Sequence, residues 1–195
     1  MPKARSATVV GVSDHAGWAI LVTASDDGAL VDRRRVALVE DGIPCMPHHH
    51  DGQRLPLDEA VALVDRVRDS ATRAAGVGLD ALVAALPRPP SAIALRASPP
   101  LPATVAERIT NYRAMCVADW VMYRSCLADA ARARGIDVST YDPATVLDEA
   151  AAALGAASLD PWFAKARAQV GAPWQKDHRL AMAAAIVAAR AASAR

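Results

Sequence analysis

The chain has 195 residues, 53% hydrophobic and 22% charged, with a formal net charge of +1. This suits one globular domain with a sizeable core and gives no chain-wide basic field that would announce nucleic acid. Aromatic residues are only 4%, so Ala, Val, Leu and Ile must build that core, and no run of about 18 residues is free of charge, which excludes a transmembrane helix. The start, MPKARSATVV, lacks the long apolar segment of a secretory signal. Cys45, Cys116 and Cys126 are odd in number and lack metal-site spacing, which argues against a disulfide scaffold or a zinc ribbon and fits a cytoplasmic protein.

In chain order, residues 7–12 (ATVVGV) and 18–24 (WAILVTA) read as two strands of a hairpin, joined through a turn at Ser13 to Gly17. Ser25 to Gly28 is a second turn signal. The following ALVDRRRVALVE alternates as an outer strand, with Arg33 and Arg35 on the solvent face. A loop from Asp41 to Gln53 carries His48, His49 and His50. A helix then starts at Pro56 with a stripe of Leu57, Val61, Val64 and Val67. Gly76 and Gly78 predict its end, with a short separate helix over 79–86. Pro87, Pro89 and Pro90 stop that, and 91–97 (SAIALRA) is a short strand. After a Pro-rich connection, 103–134 reads as the longest helix, its apolar face made by Ile109, Tyr112, Cys116, Trp120, Tyr123 and Leu127. Glu107, Asn111, Ala118 and Ser125 fall on the opposite face. Gly135 ends it in a left-handed cap, and 136–141 (IDVSTY) is a fifth strand. Helices are predicted over 144–154 and 160–169, and a last one, apolar nearly all round, from Asp177 or His178.

The order β-β-β-α-β-α-β-α-α predicts an α/β fold. An antiparallel three-strand meander continues into two strands parallel to the first, giving a five-stranded mixed sheet with helices on both faces and the first strand central. The whole chain, 1–195, reads as one domain.

This order resembles the ribonuclease H-like superfamily and, within it, the Holliday-junction resolvases of the RuvC type. Three segments carry the resemblance: Gly11-Val12-Ser13-Asp14 followed by Gly17-Trp18-Ala19, where the family places its first catalytic aspartate; Asn111 to Tyr141, like the family's long helix and last strand; and Asp177 to Ala183, like the start of the final helix with its metal-binding acids or histidine. The resemblance implies a nuclease that uses Mg2+ or Mn2+ on DNA or RNA phosphodiesters. It implies catalytic and metal-binding roles for Asp14, Asp177 and His178, and expected partners in nucleic acid and a second copy of the chain. Two departures stand out. In strict register Ser13 falls where the first aspartate belongs, with Asp14 one step late and hence on the other strand face. The strand over 91–97 should end near a glutamate and offers Arg96 instead.

All five histidines sit in three places, His15, His48 to His50, and His178. The first and third strands are parallel in this topology, so Asp14, His15, His48, His49, His50, Asp51, Asp177 and His178 are expected at one end of the sheet, within one cleft. Imidazole with carboxylate suits Zn2+, Mn2+, iron or nickel, and a histidine there can act as acid or base. Arg96, Arg108, Asn111 and Arg113 are candidate phosphate contacts, the last three at the start of a long helix. Plainer readings stand beside these: Asp14 as a turn residue, Asp177 as a helix cap, the histidines as loop residues and Arg33 to Arg35 as a solvated face. Three functions follow: a metal-dependent nuclease; an inactive ribonuclease H-like domain that binds nucleic acid or assembles with partners; or a His-rich metallo-hydrolase acting on a small molecule.

Overall fold

The computed structural model describes residues 7–194; most of the N-terminal stretch read above for a secretory signal lies outside them. The elements are β1 (Thr8–His15), β2 (Trp18–Ser25), β3 (Leu30–Ala37), a π-turn (Pro47–Asp51), α1 (Leu57–Ala85), β4 (Ala92–Arg96), α2 (Val105–Thr110), α3 (Tyr112–Arg132), β5 (Asp137–Tyr141), α4 (Val146–Ala153), α5 (Asp160–Val170) and α6 (Lys176–Ser193). One five-stranded sheet has the order β3-β2-β1-β4-β5. β1 is antiparallel to β2 and parallel to β4, which is parallel to β5, so β1 is central as its β-branched, two-sided apolar sequence requires.

Strand alternation sorts the core into two layers. Val10, Val12, Leu21, Ile93 and Leu95 pack under α1 and α3. Val9, Ile20, Val22, Ala92 and Ala94 pack under α6, with α4 against that helix and Phe163 and Ala166 of α5 joining the same layer. The small residues of α6 let it lie close on β1: a Cβ on Gly11 would sit 1.8 Å from the Ala181 carbonyl oxygen. That contact explains a glycine in the middle of a central strand.

Four local expectations are corrected. The β1–β2 turn is only Ala16-Gly17, Gly17 having φ 80°, so Asp14 lies within the strand rather than in a turn. α1 runs unbroken through Gly76 and Gly78, because Leu79 and Leu82 continue its buried stripe. There the helix passes close to other groups: a Cβ on Gly78 would meet Val36 at 3.4 Å and one on Gly76 would meet Arg134 at 3.3 Å. The helix expected over 103–134 is two helices. Asn111 caps the second, its side chain accepting from the Ala114 N–H. α1, at 29 residues, is therefore longer than α3, at 21. Finally, α3 is rotated from the predicted face. Tyr112 is 72% exposed, whereas Ala118, Asp119 and Arg124 are buried.

Candidate nucleic-acid interface

Three elements end at the same edge of the molecule: β1 at His15, β4 at Arg96 and the start of α6 at Lys176. The pairing fixes which side chains share a face there. Ser13 is opposite Ile20, and Ile20 opposite Arg35. Continuing the Gly11–Ala94 pairing by two places sets Arg96 beside Ser13, and Arg96 pairs with Tyr141. One row across the sheet is therefore Arg35, Ile20, Ser13, Arg96 and Tyr141, all on the α6 face. The next row holds Trp18 and His15.

Asp177 enters this row from the first turn of α6. Its Oδ1 accepts from the Ser13 hydroxyl at 3.1 Å, and its Oδ2 lies 3.2 Å from His15 Nε2. The His15 contact is one of proximity rather than an aligned hydrogen bond, and it becomes an ion pair when the imidazole is protonated. Asp177 is thus neither the helix cap, a place Gln175 takes, nor grouped with a second carboxylate. His178, on the next position, is buried and its Nδ1 accepts from the Gln175 N–H at 3.2 Å. Burial pushes its pKa below the usual histidine value, the Arg33 charge adds to that, and Asp177 opposes it.

Asp14 points the other way. It is 2% exposed, and its Oδ2 accepts from Arg124 Nε of α3 at 2.8 Å. The same guanidinium reaches the Ala97 carbonyl and the Ser98 hydroxyl through NH1. A one-place offset along β1 has put Asp14 on the α3 face and left Ser13 facing Asp177.

The histidine run also lies on the α3 face. The π-turn packs on α3, and the fully buried Asp119 carboxylate accepts from the His48 N–H, the His48 ring Nδ1 at 2.8 Å and the His49 N–H. His50 and Asp51 are paired at 3.3 Å on the outside of the turn. The expected convergence is therefore divided by the sheet: Asp14 and His48 on one face, Asp177, His15 and His178 on the other. Arg108 folds back on the carbonyls of Pro102 and Ala103, Asn111 is occupied as a cap, and Arg113 is exposed on the first turn of α3. Asp119 and Arg124 were not singled out from the sequence. Their signal was available: Asp119 is spaced three or four from Met115, Met122 and Tyr123, which places it on the buried face.

The residues do not fit a two-ion centre. Each ion needs several oxygen ligands, and here one acid faces an arginine while the other faces a serine and a histidine. Among the described residues no three His, Cys, Asp or Glu side chains are grouped to hold a metal ion.

What the row holds instead is cationic. Arg96 is half-buried, with a buried Nε that has no hydrogen-bond partner. Arg35 lies over the Trp18 indole at 4.4 Å, and Arg33 donates to the Pro173 carbonyl at 2.5 Å. Beside the row is a cleft of about 480 Å3 lined by Trp18, Arg33, Arg35, Gln175, Asp177 and His178.

The sheet order, the crossing of α6 over β1 and the helices on both faces define a ribonuclease H-like fold. No family model and no curated protein matches the chain. Among solved structures it is similar to Thermus thermophilus RuvC in complex with a Holliday junction substrate, at 15% identity over 96% of each chain and a TM-score of 0.51. A second T. thermophilus RuvC structure matches at 16% identity over 95% of this chain and 94% of that one, with a TM-score of 0.48. No helix among the described residues is long and apolar enough to cross a membrane.

Proposed function

We propose that this chain is a nucleic-acid-binding ribonuclease H-like domain that grips phosphates on the α6 face without two-metal cleavage. One observation carries the reading: in the row through Ser13, the positions expected to hold acids are a serine and Arg96, with Arg35 in the same row. An acidic row would hold cations that in turn bind phosphate. A row with Arg35 and Arg96 attracts phosphate directly. Asp177 is the remaining acid, and the Ser13 hydroxyl and His15 hold it.

The T. thermophilus structure contains a Holliday junction, so four-way DNA is the first ligand to try beside duplex and single strands. Binding is expected to weaken with salt, log K falling linearly with log salt concentration. Arg35→Ala and Arg96→Ala should each weaken every ligand and reduce the salt slope by about one. Absence of binding to all these ligands at low salt would overturn the proposal. The competing reading is a Mg2+- or Mn2+-dependent nuclease using Asp14, Asp177 and His178, with Zn2+ at the histidines as a variant. It is favoured by the likeness of the fold to RuvC and by Asp177 being half-exposed beside His15 and near the end of β1. Cleavage of any of these DNAs or of RNA that Asp177→Asn abolishes would establish it.

A further inference from the structure

We infer that the cleft beside Trp18 takes an unpaired base, so that the domain prefers single-stranded or unstacked nucleic acid to closed duplex. This rests on the nucleic-acid reading above and adds what that reading leaves open, namely which form of nucleic acid the face selects.

Trp18 stands on β2 on the α6 face, in the row with His15 of β1 and next to the row of Arg35 on β3. The His15 ring stacks on the indole with centroids 4.0 Å apart and planes 6° from parallel. Arg35 places its guanidinium carbon 4.4 Å from the indole centroid. β1 and β3 flank β2 on opposite sides, so these two groups cover opposite faces of the ring. The His15 face is covered by the stacked imidazole, which also lies 3.2 Å from Asp177. On the other face, Arg35 is exposed and makes no ion pair among the described residues, whereas its neighbour Arg34 is forked onto Asp32 through two hydrogen bonds of 2.7 and 2.8 Å.

An arginine lying on an indole beside an open cleft occupies the place of a base. A guanidinium over an exposed aromatic face is a weak contact, and a stacked base is a stronger one. A strand entering the cleft offers both exchanges at once: its phosphate draws Arg35 off the ring, and its base takes the vacated face. Arg33, at the same cleft, adds a second cation for the backbone. The cleft's size, about 480 Å3, lies in the range of roughly 300–1,000 Å3 that holds a drug-sized molecule. A base inside a duplex is already stacked on its neighbours and has no free face to give, so this exchange requires an unpaired nucleotide.

The test compares wild type, Trp18→Ala and Trp18→Phe by fluorescence anisotropy with labelled oligo(dT) and with a blunt duplex. Trp18→Ala should weaken oligo(dT) binding about 5- to 100-fold and leave duplex affinity unchanged, while Trp18→Phe should bind nearly as wild type. Equal weakening of both ligands, or no weakening of either, overturns the inference while leaving the phosphate-binding reading standing. Failure of wild-type protein to bind either ligand overturns both. Should Trp18→Ala not fold, intrinsic fluorescence decides. Saturating oligo(dT) should change the emission of wild type by an increment that Trp18→Phe lacks, and identical changes in the two proteins overturn the inference.

Discussion

Asp14→Asn separates a structural acid from a catalytic one. Asp14 is 2% exposed and Arg124 7%, with Nε and Oδ2 2.8 Å apart. Removing one charge leaves the other buried without compensation, which costs about 3–5 kcal/mol. That is a large part of the roughly 5–15 kcal/mol by which a domain of this kind is stable. The Asn variant should therefore lose about a third or more of its denaturation midpoint in urea, followed by far-UV circular dichroism, with little change in slope. Arg124→Met alone should lose a similar amount. The double variant Asp14→Leu, Arg124→Met removes both charges and should recover much of the loss, which a double-mutant cycle would report as strong coupling. An acid held in a catalytic cluster behaves in the opposite sense: neutralising it relieves repulsion and stabilises the fold. A stabilised Asp14→Asn would refute the assignment of Asp14 to the α3 core.

Two further outcomes follow from the packing on the other face. Gly11→Ala should destabilise by about 3 kcal/mol or more, the upper end for overpacking, because the new Cβ meets the backbone of Ala181 and Ala185 rather than a side chain that can move; chemical denaturation checks it. His178 has a folded pKa below its usual value of 6.5, so the unfolded chain binds more protons as the pH falls. Its contribution to stability is complete above about 6.5 and is lost as the pH drops through the depressed folded value. Melting curves across that window should flatten in His178→Asn, which keeps an acceptor for the Gln175 N–H.

Much of the fold is legible because it is written in local chemistry. The β-branched runs, the turn glycines and the alanine-rich last helix each specify one element, and their order leaves few topologies. What was missed depends on neighbours distant in sequence. Gly76 and Gly78 read as a helix end, yet α1 passes through them because Leu79 and Leu82 continue its buried stripe, while Val36 and Arg134 lie close to the two glycines. Asn111 is the local exception: read as a polar-face residue of one long helix, it caps the second of two, accepting from the Ala114 N–H three positions on. The candidate site was legible in its address but not in its sides. Asp14, His15 and Asp177 do meet the same end of the sheet, but whether two of them face each other depends on a single residue of strand register: the spacing sets Asp14 one step late, on the other strand face, and the expectation of one shared cleft runs against that parity. The histidine run was placed on the wrong side because its partner, Asp119, lies 71 positions away from His48 on a helix whose buried face had been assigned differently.

That parity is itself testable, by restoring the acids where the row would need them. Ser13→Asp together with Arg96→Glu would add two carboxylates to the α6 face beside Asp177, at positions now held by a hydroxyl 3.1 Å from Asp177 and by a guanidinium. Two carboxylates about 4 Å apart repel by roughly 4 kcal/mol at an effective dielectric of about 20, so the double variant should be markedly less stable than wild type at neutral pH without metal. A divalent ion that bridges them binds only the folded state. At about 100 times its dissociation constant it returns about 2.7 kcal/mol, read as a rise in melting temperature with Mn2+. Wild type should show no such rise, since the acid at this row, Asp177, already has Ser13 and His15 as neighbours and Asp14 is turned to Arg124. The comparison bears on the wild type as much as on the variant. If Mn2+ raises the two melting temperatures equally, the natural row already holds an ion. The arginines then serve a cutting site, and the phosphate-gripping reading gives way to the nuclease.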